Sequence, residues 1–235
     1  MIDIHSHILY EVDDGPKHLT ESIDMLRDAK SQGIDKIIAT PHYRHGMFSY
    51  PKEIIEKHFL RLKKEAEDIG IELFLGTEQH VNSNTVEYVE SGRCHTLADS
   101  YYVLVEYKYE TDFLYIKESV QDLLRYGYVP IVAHVERYAC MRELENVEFL
   151  REIGAMIQVN ADAVIGKDGM GAKGYTKKLL KHALVDFIGS DSHGLKERNC
   201  NMGKCRDHLY KKYDSRYVNR ILEGNAREIL ESVKE

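Results

Sequence analysis

The 235-residue sequence has only four cysteines (Cys94, Cys140, Cys200 and Cys205), and no two of them form a Cys-x-x-Cys pair. Thiols this few and this irregularly spaced do not make a disulfide framework in a domain of this length, so reduced cysteines are expected. No stretch approaches the roughly 18 to 20 apolar residues that span a bilayer, which argues against membrane insertion. The opening MIDIHSHILYEVDDG has neither a basic start nor an apolar segment of signal-peptide length, so a cytoplasmic location is expected. No basic run is present, and the net charge is -7 with 30% charged residues. Such a surface does not offset a phosphate backbone, which argues against a nucleic-acid partner. There is no Gly-x-Gly-x-x-Gly, no P-loop Gly-Lys-Ser/Thr and no repeat or linker. One domain spanning residues 1–235 is expected.

What the chain does have is an alternation of short apolar runs with amphipathic stretches. Strands are predicted at Ile2–His5, Lys36–Thr40, Glu72–Leu75, Tyr102–Glu106, Val129–Ala133, Met156–Val159 and Val185–Ile188. Helices are predicted at Thr20–Gln32, Pro51–Asp68 (capped by Gly70), Phe113–Tyr126, Val147–Ile153 and Tyr175–His182, with Asn201–Lys234 mainly helical. Strands separated by helices imply a parallel sheet with right-handed crossovers. Seven such units without a dinucleotide fingerprint favour an α/β fold of the distorted, TIM-like (β/α)7 barrel kind.

Chemistry-bearing residues gather at the predicted strand ends. Asp3-Ile4-His5-Ser6-His7 opens the chain, and Ser190-Asp191-Ser192-His193 follows its last strand. Residues two apart on an extended segment face the same side, so each pair can reach one metal ion. His42, Glu78, Glu106, His134 and Asp191 each fall at or just past the C-terminal end of a strand, the face where barrel enzymes keep their chemistry. A single histidine there is more often a hydrogen-bonded core residue; repetition reverses that expectation. Most of the other histidines are expected to be solvated, with His45 and His80 less clear because they adjoin these motifs.

Five imidazoles and three carboxylates exceed the needs of one ion but suit two or three divalent ions. Mixed nitrogen and oxygen ligation without thiolate fits manganese, iron or zinc. Such a pocket stays cationic and favours an anion. Arg137 and Arg198 adjoin the ligands and suit bidentate phosphate recognition, with Arg44 beside His42 a weaker third. The chemistry this implies is phosphate ester hydrolysis with a hydroxide on the metals as nucleophile. A competing pattern, Cys200 to Arg206, fits the Cys-x5-Arg of cysteine-based phosphatases. That chemistry needs a glycine-rich phosphate loop between a strand and a helix, and GLKERN before Cys200 is no strand.

The ordered set DIHSH, DDGP, ATPHYRHGMF, GTE, a strand ending in Val-Glu, IVAHVERY and GSDSHG resembles the PHP (polymerase and histidinol phosphatase) superfamily. Within it, the sequence is similar to the CpsB/CapC type, manganese-dependent protein-tyrosine phosphatases of Gram-positive capsule and exopolysaccharide loci. The similarity covers about residues 1 to 230. It implies a trinuclear metal centre and dephosphorylation of a partner tyrosine kinase of a polysaccharide-synthesis locus. Motif by motif, metal roles fall on His5, His7, His42, Glu78, Glu106, His134, Asp191 and His193, and phosphate contacts on Arg137 and Arg198. Gly194, directly after the Asp-x-His, receives no role. The alternative within the superfamily is a small phosphomonoester such as histidinol phosphate.

Overall fold

The computed structural model describes residues 1–44, 46–48 and 50–232. Among them run nine strands, β1 (Ile2–Ser6), β2 (Lys36–Ala39), β3 (His42–Tyr43), β4 (Glu72–Leu75), β5 (Glu78–His80), β6 (Tyr102–Glu106), β7 (Val129–Val132), β8 (Met156–Asn160) and β9 (Phe187–Gly189). All pairings are parallel, in the orders β1-β2-β4 and β3-β5-β6-β7-β8-β9. The two rows are continuous, because β2 leads into β3 across Thr40-Pro41 and β4 into β5 across Gly76-Thr77. Proline has no N–H for the ladder, so the strand is interrupted there. Backbone bonds still span the break, from Gly76 N to Ala39 O (2.8 Å) and from Glu78 N to Pro41 O (3.2 Å). β9 returns to β1 through a parallel bridge between Ser6 and Ser192. His7 N donates to Ser192 O at 2.9 Å, and Asp191 N to His5 O at 2.8 Å. The result is a distorted seven-stranded (β/α) barrel, two of whose strands are broken in the middle.

The main connecting helices are α1 (Leu19–Ser31), α2 (Lys52–Ile69), α3 (Thr85–Glu90), α4 (Phe113–Arg125), α5 (Leu144–Glu152), α6 (Ala161–Ile165), α7 (Met170–Lys181) and α8 (Met202–Tyr210). Gly70 ends α2 in the left-handed conformation (φ 81°), as its position predicts. Several boundaries move. Helix α7 begins five residues before the predicted Tyr175, because Gly171 and Gly174 depress the local helix propensity. Helix α5 begins at Leu144 rather than Val147, and β9 begins at Phe187 rather than Val185. The predicted C-terminal helix is segmented at Ser215–Asn219, Arg220–Gly224 and Asn225–Glu231 after α8. Residues 233–235 lie outside the described residues, as does His45.

Two apolar clusters hold the barrel together. The smaller joins Ile2, Ile4, Ile38, Leu104, Ile131 and Phe187 from the strands to Leu97, Ala226 and Ile229. It forms the floor beneath the strand ends. The larger cluster packs the outer strand faces against α1, α2, α4, α5 and α7. No helix of the described residues is long and apolar enough to cross a membrane.

Candidate metal centre

Strict alternation from Ile2 and Ile4 in the floor would send His5 and His7 to the opposite side. The register prevents this. Between Asp3↔Ile37 and Ser6↔Ala39, β1 advances three residues while β2 advances two. One extra residue is a bulge, which re-aims the side chains that follow it. Both imidazoles are thereby buried at the strand ends. The loop after them is drawn tight. A Cβ on Gly15 would lie 2.3 Å from His7 O, so only glycine fits. That loop sets Asp13 Oδ2 2.9 Å from His7 Nδ1 and Asp14 Oδ1 3.3 Å from His193 Nε2. At β7 and β9 the backbone does the aiming. His134 (φ 33°) and Asp191 (φ 51°) both hold left-handed conformations that non-glycine residues seldom adopt.

The eight predicted ligands do converge. Glu78, fully buried, is the hub: its Oε1 lies 2.8 Å from His134 Nε2 and 3.3 Å from His5 Nε2. Its Oε2 lies 3.1 Å from His7 Nε2 and 2.9 Å from His42 Nδ1. Asp191 Oδ1 stands 3.5 Å from both His5 Nε2 and His7 Nε2. Candidate ligand atoms form four overlapping sets, each within 4.8 Å: His7/Asp14/His42/His193, His5/Glu78/His134, His5/His7/Asp191 and His42/Glu78/Glu106. His42 Nδ1, Glu78 Oε2, Glu106 Oε1 and His193 Nε2 are buried yet make no well-aligned hydrogen bond, although partners lie close. Buried polar atoms normally find partners. Atoms that crowd one another without bonding are aimed at shared points between them, as ligands of a cation are.

Outer contacts fix which ring nitrogen is presented. His5 Nδ1 meets Gln158 Oε1 (3.1 Å), His7 Nδ1 meets Asp13, and His193 Nδ1 meets Asp191 O (2.9 Å). Each of these oxygens can only accept, so Nδ1 carries the hydrogen and Nε2 keeps its lone pair for a metal. Tyr138 holds the His134 ring in place, with its hydroxyl 3.1 Å from Nδ1. Burial disfavours charge on every one of these groups. At His5 the carboxylates of Glu78 and Asp191 outweigh burial and raise its pKa to about 9; at His42, Glu78 and Glu106 raise it to about 11. Burial also opposes a charged Glu78, but His5 and His42 hold its carboxyl well below the usual range. His193 instead falls to about 4 through burial and the nearby His7.

Sequence reasoning missed Asp14, although it read the DDGP motif that contains it. It also missed Asp13, Gln158, Tyr138 and Asn160, whose Nδ2 donates to Asp191 Oδ2 at 2.8 Å. Arg137 Nη2 donates to Asp191 Oδ2 at 2.7 Å, and Arg198 Nη2 to Asp191 Oδ1 at 3.2 Å. Arg198 Nη1 also reaches Asp14 (3.1 Å). Both arginine side chains remain 42% exposed and so stand between the cluster and solvent. A cavity of about 500 Å³ opens beside Arg137, lined also by Glu106, His134, Tyr107 and Tyr109. Arg44 is not among these arginines and lines a separate cleft with His80. His95 and His58 are not simply solvated: His95 bonds Tyr50 and Glu56, and His58 bonds Tyr10 O.

The cysteine pattern dissolves. Cys200 and Cys205 are buried, and burial pushes both thiols well above their ordinary value. Arg206 is turned to Gln32 O and Asp207. Cys200→Ser is therefore expected to keep near-parental phosphatase turnover. A collapse of activity with metal content intact would restore the thiolate mechanism.

A family model described as capsular polysaccharide synthesis, CpsB/CapC, matches residues 1–231. The chain belongs to this family. The tyrosine-protein phosphatase CpsB of Streptococcus pneumoniae is 34% identical over 238 residues, covering 98% of each chain. The tyrosine-protein phosphatase YwqE of Bacillus subtilis (strain 168) is 32% identical over 218 residues, covering 92% of this chain and 86% of that protein. The fold agrees. One chain from the crystal structures of B. subtilis YwqE and S. pneumoniae CpsB, described as unique metal-dependent tyrosine phosphatases, matches with a TM-score of 0.92 at 31% identity. That match covers 100% of this chain and 96% of the other. An Escherichia coli phosphotriesterase homology protein matches at a TM-score of 0.62 and 12% identity, over 97% of this chain and 98% of its own, a likeness of fold alone.

Proposed function

We propose that this chain is, as a single cytoplasmic domain, a metal-dependent phosphatase that hydrolyses phosphotyrosine on a protein. The substrate we favour is a tyrosine kinase of a polysaccharide-synthesis locus. The observation that carries the reading is the set of buried, unbonded ligand atoms converging around Glu78. The donor set fits divalent metal, and two to three ions are accommodated by His5, His7, His42, Glu78, Glu106, His134, Asp191 and His193, with Asp14 added. Nitrogen and oxygen donors without thiolate suit manganese, with iron or zinc as alternatives. Bound there, such cations supply Lewis acidity and lower the pKa of water.

The protein's own groups do the rest. Gln158, Asp13 and Tyr138 hold the imidazole rings in one orientation, so the ligand atoms need no rearrangement. Arg137 and Arg198 stand at the solvent side of Asp191, placed to take the non-bridging oxygens of an entering phosphate. The leaving phenol has a pKa of about 10, well below an alkyl alcohol, so an aryl ester needs less help from a general acid. A phosphotyrosine ring also reaches deeper than a phosphoserine side chain.

The test is hydrolysis of phosphotyrosine and phosphoserine peptides of matched sequence, with metal analysis of the same preparation. Phosphotyrosine is expected to be cleaved well ahead of phosphoserine, and chelator is expected to abolish both rates. Equal rates on the two esters would defeat the tyrosine assignment. One ion or fewer in fully active protein would defeat the multinuclear one.

A further inference from the structure

We propose that the cleft formed by Arg44, His80 and Lys108 binds an acidic side chain flanking the phosphotyrosine of the substrate. The proposal rests on the phosphatase reading and extends it to the sequence around the target. The cleft has a volume of about 670 Å³ and includes Asn82, Asn84 and Tyr107 in its wall. No carboxylate is among its described lining residues, in a chain with 39 acidic against 32 basic residues. A pocket that collects only cationic and neutral groups on an acidic protein favours an anion.

Its placement follows from the strands. Arg44, His80 and Lys108 come two residues after His42, Glu78 and Glu106, on the neighbouring paths of β3, β5 and β6. Two positions along an extended segment return to the same face about 6.6 Å further on. On each path the residue two positions outward from a candidate ligand is a basic side chain or an imidazole, in staggered steps, since His80 is level with Glu106. Among the described residues neither Arg44 nor Lys108 has an ion-pair partner, and His80 Nε2 is buried without a hydrogen bond. A carboxylate in the cleft would accept charge-assisted bonds from Arg44 and Lys108. Tyr107 lines this cleft and also the cavity beside Arg137. A peptide whose phosphotyrosine enters that cavity therefore has its neighbouring residues over the cationic cleft.

The experiment uses full-length, metal-loaded protein and three phosphotyrosine peptides that differ only in flanking residues: glutamate, alanine or lysine. The expected order of kcat/KM is glutamate over alanine over lysine, with about a tenfold advantage for glutamate over alanine, carried by KM. In Arg44→Ala/Lys108→Ala protein that advantage is expected to vanish, and raising the salt concentration should erode it in the parent. Equal rates on glutamate and alanine peptides by the parent would overturn the subsite. So would a variant that loses the same factor on all three, because the arginine and lysine would then serve the phosphate itself. Parent protein that hydrolyses none of the peptides sinks the phosphatase reading and the subsite together. Hydrolysis without dependence on the flank sinks the subsite alone.

Discussion

Glu78→Ala is expected to remove at least about 10³-fold of kcat/KM on aryl phosphate, roughly 4 kcal/mol of transition-state stabilisation. No other side chain touches so much of the cluster. Its two oxygens lie within 3.3 Å of nitrogens from His5, His7, His42 and His134, on three different strand ends. The carboxylate is fully buried and is kept ionised by His5 and His42 against the pull of burial. Alanine would leave those rings facing one another, with the ion or ions that Glu78 holds short of a ligand and of one negative charge. Metal content is therefore expected to fall along with activity. Glu78→Gln separates charge from shape. It keeps the size of the side chain and should fold, yet it should lose metal nearly as badly. The measurement is activity together with elemental analysis and circular dichroism of parent and variants. Folded Glu78→Ala protein with parental metal content and activity within tenfold would mean that the cluster does not depend on its hub.

Much of this centre was legible in the sequence because its logic is local. His5 and His7 share a face through their spacing, and Asp191 and His193 repeat the device. His134 and Glu106 end apolar runs that read plainly as strands. The less legible parts depend on other chains of contact. The bulge between Asp3 and Ser6 is a property of pairing with β2, and it reverses the side on which the two histidines would otherwise fall. β3 and β5 were invisible as strands because Pro41 and Gly76 interrupt their paths and polar residues fill the inward positions. Asp14 has the composition of a solvated turn, and only the folded loop brings it to His193. Gln158, Asn160 and Tyr138 act by hydrogen bonding to groups on neighbouring strands, and no spacing rule marks such residues.

Arg137→Ala and Arg198→Ala are each expected to cost about ten- to a hundred-fold in kcat/KM, since a bond to a charged group is worth roughly 1.5 to 3 kcal/mol. The lysine variants should recover part of the loss, because lysine keeps the charge but not the planar fork. The structure raises a second way these residues could act. Both guanidinium groups bond Asp191, from which Arg137 Nη2 is 2.7 Å and Arg198 Nη2 3.2 Å distant. Asp191 is buried, and Arg137 and His5 oppose burial to hold its carboxyl well below the usual range. An arginine that served only to steady Asp191 would, when removed, disturb the metals. One that holds phosphate would leave the metals in place and weaken the grip on the anion. Inhibition by inorganic phosphate reads this directly. If the arginines clamp the substrate, each alanine variant keeps its metal and needs more phosphate for half inhibition, in step with its loss of kcat/KM. Loss of metal with unchanged phosphate affinity would make both arginines positioning residues for Asp191. Parental efficiency in both variants would leave phosphate binding to the metal cluster unaided.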